Sequence, residues 1–99
     1  MIVLRMTAQA KWGCQDEFVA LMKSEKSRLA NPNAMRIYTA HPAGAPGWHV
    51  VTDIEFESLA DLEQWLGEWF AKPENADIFQ KMGSLQEPGG FSTIWNLVE

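Results

Sequence analysis

The chain has 99 residues, enough for one domain (1–99), and carries a formal net charge of −5 from eight basic and thirteen acidic residues. With no Lys/Arg cluster to bind polyanions, neither nucleic acid nor an anionic membrane is an expected partner. The lone cysteine, Cys14, excludes an internal disulfide and suits a reducing cytoplasm, and no apolar run approaches the roughly 18 residues of a membrane span.

Met1-Ile2-Val3-Leu4-Arg5 reads directly into a strand over about Ile2–Ala8 and not as a signal peptide. Ile2, Leu4, Met6 and Ala8 share one face of it; Val3, Arg5 and Thr7 share the other. Gly13 precedes a helix from about Gln15 to Ala30, with Phe18, Leu21, Met22 and Leu29 along one stripe. Asp16 and Glu17 at its start and Lys26 and Arg28 at its end complement the helix dipole, and Asn31-Pro32-Asn33 stops it. Strands over about Ala34–His41 and Trp48–Phe56 then flank a Pro/Gly-rich connection, residues 42–47, which reads as a hairpin with a wide flexible tip.

Ser58-Leu59-Ala60-Asp61 has the form of a capping box opening a second helix. Leu59, Leu62, Leu66, Trp69 and Phe70 form its apolar stripe, with Trp65 beside it. Lys72-Pro73 breaks that helix, and Pro73 suits the first position of a shorter one reaching about Met82, with Asp77 and Lys81 as an exposed i, i+4 pair. Pro88-Gly89-Gly90 resets the chain before a last strand over about Phe91–Val98. The order βαββαβ predicts an α+β, ferredoxin-like fold: a four-stranded antiparallel sheet with helices on one face. A domain this small hides only roughly 60–65% of its unfolded surface. Its bare sheet face and abundant rings (five Trp and five Phe) therefore call for a second copy of the chain as cover.

On the face away from the helices, the hairpin register sets Ala40 against His49, Tyr38 against Val51 and Arg36 against Asp53. Arg5, Arg36, Tyr38, His49, Asp53 and Glu55 thereby form a polar cluster that is expected to line a ligand cavity. An arginine there could fix an anionic or enolate oxygen while Tyr38 donates a hydrogen bond. The structural alternative is neutralisation, Arg36 by Asp53 and Arg5 by Glu55. His49 and Tyr38 are the candidates for acid–base work. His49 and Asp53 stand roughly 13 Å apart along one strand, too far for a dyad, and His41 and His49 have no metal-ligand spacing, so no metal is expected. Trp65 and Trp69, at i and i+4, serve as core packing or as an aromatic wall for a planar ligand. Cys14 has no activating partner beside it except Lys11 and reads as inert or mildly oxidisable.

The element order, the Ser58–Trp65 helix start, the Lys72-Pro73-Glu74 break and the closing Ser92-Thr93-Ile94-Trp95-Asn96-Leu97 together resemble the dimeric α/β-barrel superfamily. This superfamily includes antibiotic-biosynthesis-type and haem-degrading monooxygenases and NIPSNAP-like proteins. The proline-broken second helix is most similar to NIPSNAP-like members. The resemblance covers essentially the whole chain and implies a homodimeric α/β barrel that holds a small, partly apolar or aromatic ligand in a cavity. It also implies an enzymatic alternative, a cofactor-independent monooxygenase acting on a planar, enolisable substrate. A structural dimer with a self-filled cavity is the third reading. Haem-degrading relatives are marked by an Asn on the first strand and a helical His. This chain has neither, so no haem or other cofactor is expected.

Overall fold

Alternating side chains on the strands decide which face of the sheet the helices cover. A computed structural model describes residues 1–40 and 48–98, and its element order is the one the sequence predicts. Strands β1 (Ile2–Gln9), β2 (Met35–Thr39), β3 (His49–Phe56) and β4 (Phe91–Asn96) form an antiparallel sheet in the order β2-β3-β1-β4. Helices α1 (Gln15–Arg28), α2 (Leu59–Ala71) and α3 (Glu74–Leu85) lie on one face. Leu4 and Ala8 of β1 and Val50, Thr52 and Ile54 of β3 are buried under them. Phe18 and Met22 of α1, Leu62 of α2 and Leu85 of α3 complete the buried side of the core.

Several boundaries differ from the sequence reading for local reasons. Helix α1 ends at Arg28 because Leu29 is already extended, and a 3₁₀ turn, Pro32–Ala34, leads into β2. Helix α3 runs past Met82 to Leu85. Ile78, Met82 and Leu85 keep the helical stripe going, so Gly83 and Ser84, which look like a stop, stay inside it. Pro73 caps α3 and does not open its first turn. Lys81 reaches Glu17 of α1, at 3.6 Å, where a pair with Asp77 along its own helix was expected. The expected hairpin tip, residues 42–47, and His41 at the end of the expected second strand fall outside the described residues. Among those residues no helix is long and apolar enough to cross a membrane.

Two further features position the cavity described below. The connection from α3 to β4 is zipped to the end of β1: Lys11 N donates to the Leu85 carbonyl at 2.9 Å, and Glu87 N donates to the Gln9 carbonyl at 2.7 Å. At Gly90 an added Cβ would stand 3.0 Å from Gln86 Oε1 and 3.3 Å from the Thr7 carbonyl, so glycine lets this turn lie close against β1.

The second helix starts as its sequence predicts. Ser58 is its N-cap, and its Oγ accepts from Asp61 N at 3.2 Å. Replacing Ser58 with Ala is expected to lower stability by about 1 kcal/mol, the usual value of such a cap. Urea unfolding checks this, and an unchanged midpoint would mean that packing of α2 alone sets its start.

Candidate functional site: a helix-side cavity and an open sheet face

The residues singled out in the sequence are divided by the sheet into two groups. Arg5, Arg36, Tyr38, His49, Asp53 and Glu55 occupy the face away from the helices, in the register expected: Arg36 opposite Asp53 and Tyr38 opposite Val51. Strand β1 adds Arg5 opposite Asp53 from the other side. Asp53 thus lies between two arginines, and the pairing that results is not the expected one. Arg5 forms a two-pronged bond to Asp53, Nε to Oδ1 at 2.8 Å and Nη2 to Oδ2 at 2.9 Å. Arg36 bonds to Glu55, two residues further along β3. Arg5 takes Asp53 with its planar fork, and Arg36 takes the diagonal carboxylate.

The hydrogen bonds and then the charge of Asp53 raise the Arg5 guanidinium above its already high ordinary value, and Glu55 does the same for Arg36. The stabilisation is fully present below the unfolded guanidinium value and is lost only as pH climbs through the raised one, beyond neutral conditions. Both arginines therefore stay charged and paired.

Register with β4 brings a residue to this face that the sequence reading did not include. Trp95 stands opposite Val3, and Arg5 Cζ lies 5.9 Å from its ring centroid, at cation–π distance. Its indole N–H donates to Thr93 Oγ1 at 2.7 Å. Phe91, Thr93 and Trp95 alternate onto the open face; placing β4 beside β1 would have revealed the set. Tyr38 is 48% and Trp95 53% exposed, so aromatic surface lies on both outer strands.

Trp65 and Trp69 lie on the other side of the sheet. Trp65 packs against Phe56, ring centroids 5.7 Å apart, and Trp69 meets Phe70 and Phe79 at 5.0 and 6.5 Å. Both line a hollow of about 100 Å³ between α1, α2, α3 and the sheet. A larger hollow of about 600 Å³ adjoins it, walled by β1, β3, α1, α3 and the residues leading into β4. Met6, Met22, Phe79 and Met82 border both hollows, and Met35 borders the smaller one. Four of the five methionines therefore face this space. Unbranched thioethers can fill irregular gaps and contact rings.

A buried polar knot holds the inner end of this cavity. Glu25, 7% exposed, accepts from Arg28 Nη1 at 2.6 Å and from the Trp69 indole N–H at 3.0 Å. Asn75 accepts from Arg28 Nη2 at 2.8 Å and donates to the Trp69 carbonyl at 2.7 Å. The ends of α1 and α2 and the start of α3 are thereby joined. The sequence carried a signal for Glu25: it stands three residues after Met22 and seven after Phe18, a charged group on an apolar stripe.

Cys14 is partly buried against the core at the start of α1, and its side chain makes no capping bond. Among the described residues no three His, Cys, Asp or Glu side chains converge as metal ligands.

Burial makes the two ion pairs unequal. The Asp53 side chain is 9% exposed and that of Glu55 27%, so removing Arg5 strands the more deeply buried carboxylate. Arg5→Met is expected to lower the urea midpoint clearly more than Arg36→Met, and equal losses would contradict the ranking.

No protein-family model and no curated protein matches the sequence. Solved structures do match. A NIPSNAP family protein from Agrobacterium tumefaciens superposes with a TM-score of 0.80 at 16% identity, over 99% of this chain and 93% of that one. An antibiotic biosynthesis monooxygenase gives 0.69 at 17% identity, over the full length of both chains. A NIPSNAP domain protein from Burkholderia xenovorans gives 0.69 at 13%, covering 99% of this chain and 95% of its own. The chain thus has the ferredoxin-like fold found in NIPSNAP proteins and antibiotic biosynthesis monooxygenases, the likeness its element order and helix break first suggested.

Proposed function

We propose that the protein is a NIPSNAP-like homodimeric barrel of the cytoplasm that binds a small, partly apolar or aromatic ligand between its sheet and helices. The observation that carries this reading is the helix-side cavity. Its larger hollow, about 600 Å³, is within the range of small-molecule sites, and its walls are mainly apolar with a few polar groups at one end. Trp65 and Trp69 supply the aromatic wall of the smaller hollow. The chain's own side chains leave this space unfilled, which favours binding over a purely structural role.

The open face supports the dimer. It combines exposed rings on β2 and β4 with ion pairs that neutralise its charged groups internally, a composition suited to burial against a second copy. The six-residue edge strand β4 is more than half exposed at Phe91 and Trp95, both on this face. On this reading Arg5, Arg36, Tyr38, His49 and Asp53 belong to the seam between subunits.

The monooxygenase alternative draws on the likeness to an antibiotic biosynthesis monooxygenase. It would need a cation to hold the substrate's enolate oxygen. Arg5 and Arg36 lie across the sheet from the cavity and are bonded to carboxylates. Lys11 is the cationic residue bordering the larger hollow. The binding reading is therefore the better supported of the two.

Native mass spectrometry of gently purified protein tests it, with a dimer carrying extra mass as the expected result. Trp95→Lys, which places a charge on the open face, is expected to give monomers in sedimentation. A monomeric wild-type protein at micromolar concentration would overturn the barrel.

A further inference from the structure

The cavity is polar at one end only. Its larger, outer hollow is bordered by Lys11, Thr52, Gln86 and Glu87, along with the backbone of the turn before β4. The inner hollow is bordered by Met35, Ile54, Leu66, Trp65 and Trp69, and its one charged neighbour is Glu25. Glu25 does not change that character. One carboxylate oxygen accepts from Arg28 and the other from Trp69, and the residue is almost fully buried. Between the hollows stand Met6, Met22, Met82 and Phe79, the residues that border both. Three of these four are methionines, whose side chains can change rotamer to widen or close a passage.

Size and shape narrow the occupant further. The inner hollow measures about 100 Å³. An apolar cavity of about 150 Å³ is known to stay dry and to accept benzene. One ring is therefore the largest group that suits the inner hollow, with some yielding of the methionines. Indole, phenyl and thioether walls favour a ring over a thin alkyl chain. Gly83 lies on α3 and borders the outer hollow, and a Cβ added there would meet nothing within 4 Å.

We propose that the cavity takes an elongated amphipathic ligand, with an unsubstituted apolar ring in the inner hollow and a polar end beside Lys11, Gln86 and Glu87 in the outer one. This assignment rests on the ligand-binding reading above and adds the orientation and chemical class of the ligand. A polar substituent at the far end of the ring would lie against apolar walls, where the one charged side chain is Glu25, already holding Arg28 and Trp69. It should weaken binding about tenfold or more, as expected for burying an unpaired hydroxyl.

The test uses the whole protein with its methionine methyls labelled with carbon-13, titrated with 4-phenyl-1-butanol and with 4-(4-hydroxyphenyl)-1-butanol. Met35 borders only the inner hollow and reports a ring placed there; Met6, Met22 and Met82 report the passage; exposed Met1 serves as a control. The expected result is that phenylbutanol shifts the Met35 methyl together with the three passage methyls. The hydroxylated probe should bind at least about tenfold more weakly. Leu66→Phe, which fills the inner hollow, should abolish the Met35 shift while the passage methyls still respond. Passage methyls that move with Met35 unmoved, or equal affinity for the two probes, would overturn the orientation and leave the cavity reading intact. No methyl moving at millimolar probe would overturn both.

Discussion

The hydrogen bond from the Trp69 indole to Glu25 is the interaction on which the helix layer depends. It joins α2 to α1, and the same carboxylate holds Arg28, which in turn reaches Asn75 at the start of α3. Asn75 closes the ring of contacts by donating to the Trp69 carbonyl. Three helices are tied at one end by four side chains, all with partners. Buried polar groups are costly unless satisfied in this way, and satisfied ones specify a single arrangement. The tie leaves the space between helices and sheet to be bordered by thioethers and rings.

The sheet beneath is a partition with different chemistry on its two sides. Leu4, Ala8, Val50 and Ile54 point into the helix layer, while Arg5, Tyr38, Asp53 and Trp95 point away from it. Because side chains alternate strictly along a strand, moving any one strand by a single residue would exchange these roles. The fork between Arg5 and Asp53 adds a directional contact between β1 and β3 that fits only the observed register. Stability of the sheet and identity of its open face are thereby set by the same residues.

Most of the architecture could be read from the chain because periodicity and caps are local signals. Ser58 caps α2 where it should, and Arg36 meets Asp53 in register as the hairpin predicts. What could not be read depends on where non-adjacent strands and helices meet. The partner choice of the arginines required knowing that β1 lies next to β3, which brings Arg5 to Asp53 before Arg36 can claim it. The cavity was harder still. Polar residues on strands drew attention to the open face, whereas the hollow is bordered by four methionines and by rings that resemble ordinary core from sequence alone. Glu25 is the exception, a visible irregularity in an apolar stripe. Its role appears only when Trp69 is seen opposite.

The methionine lining has a chemical consequence as well as a mechanical one. Each thioether can be oxidised to a sulfoxide, which is polar and no longer suited to an apolar wall. Met6, Met22, Met35 and Met82 converge on one space, so oxidation of any of them would turn part of its apolar wall polar.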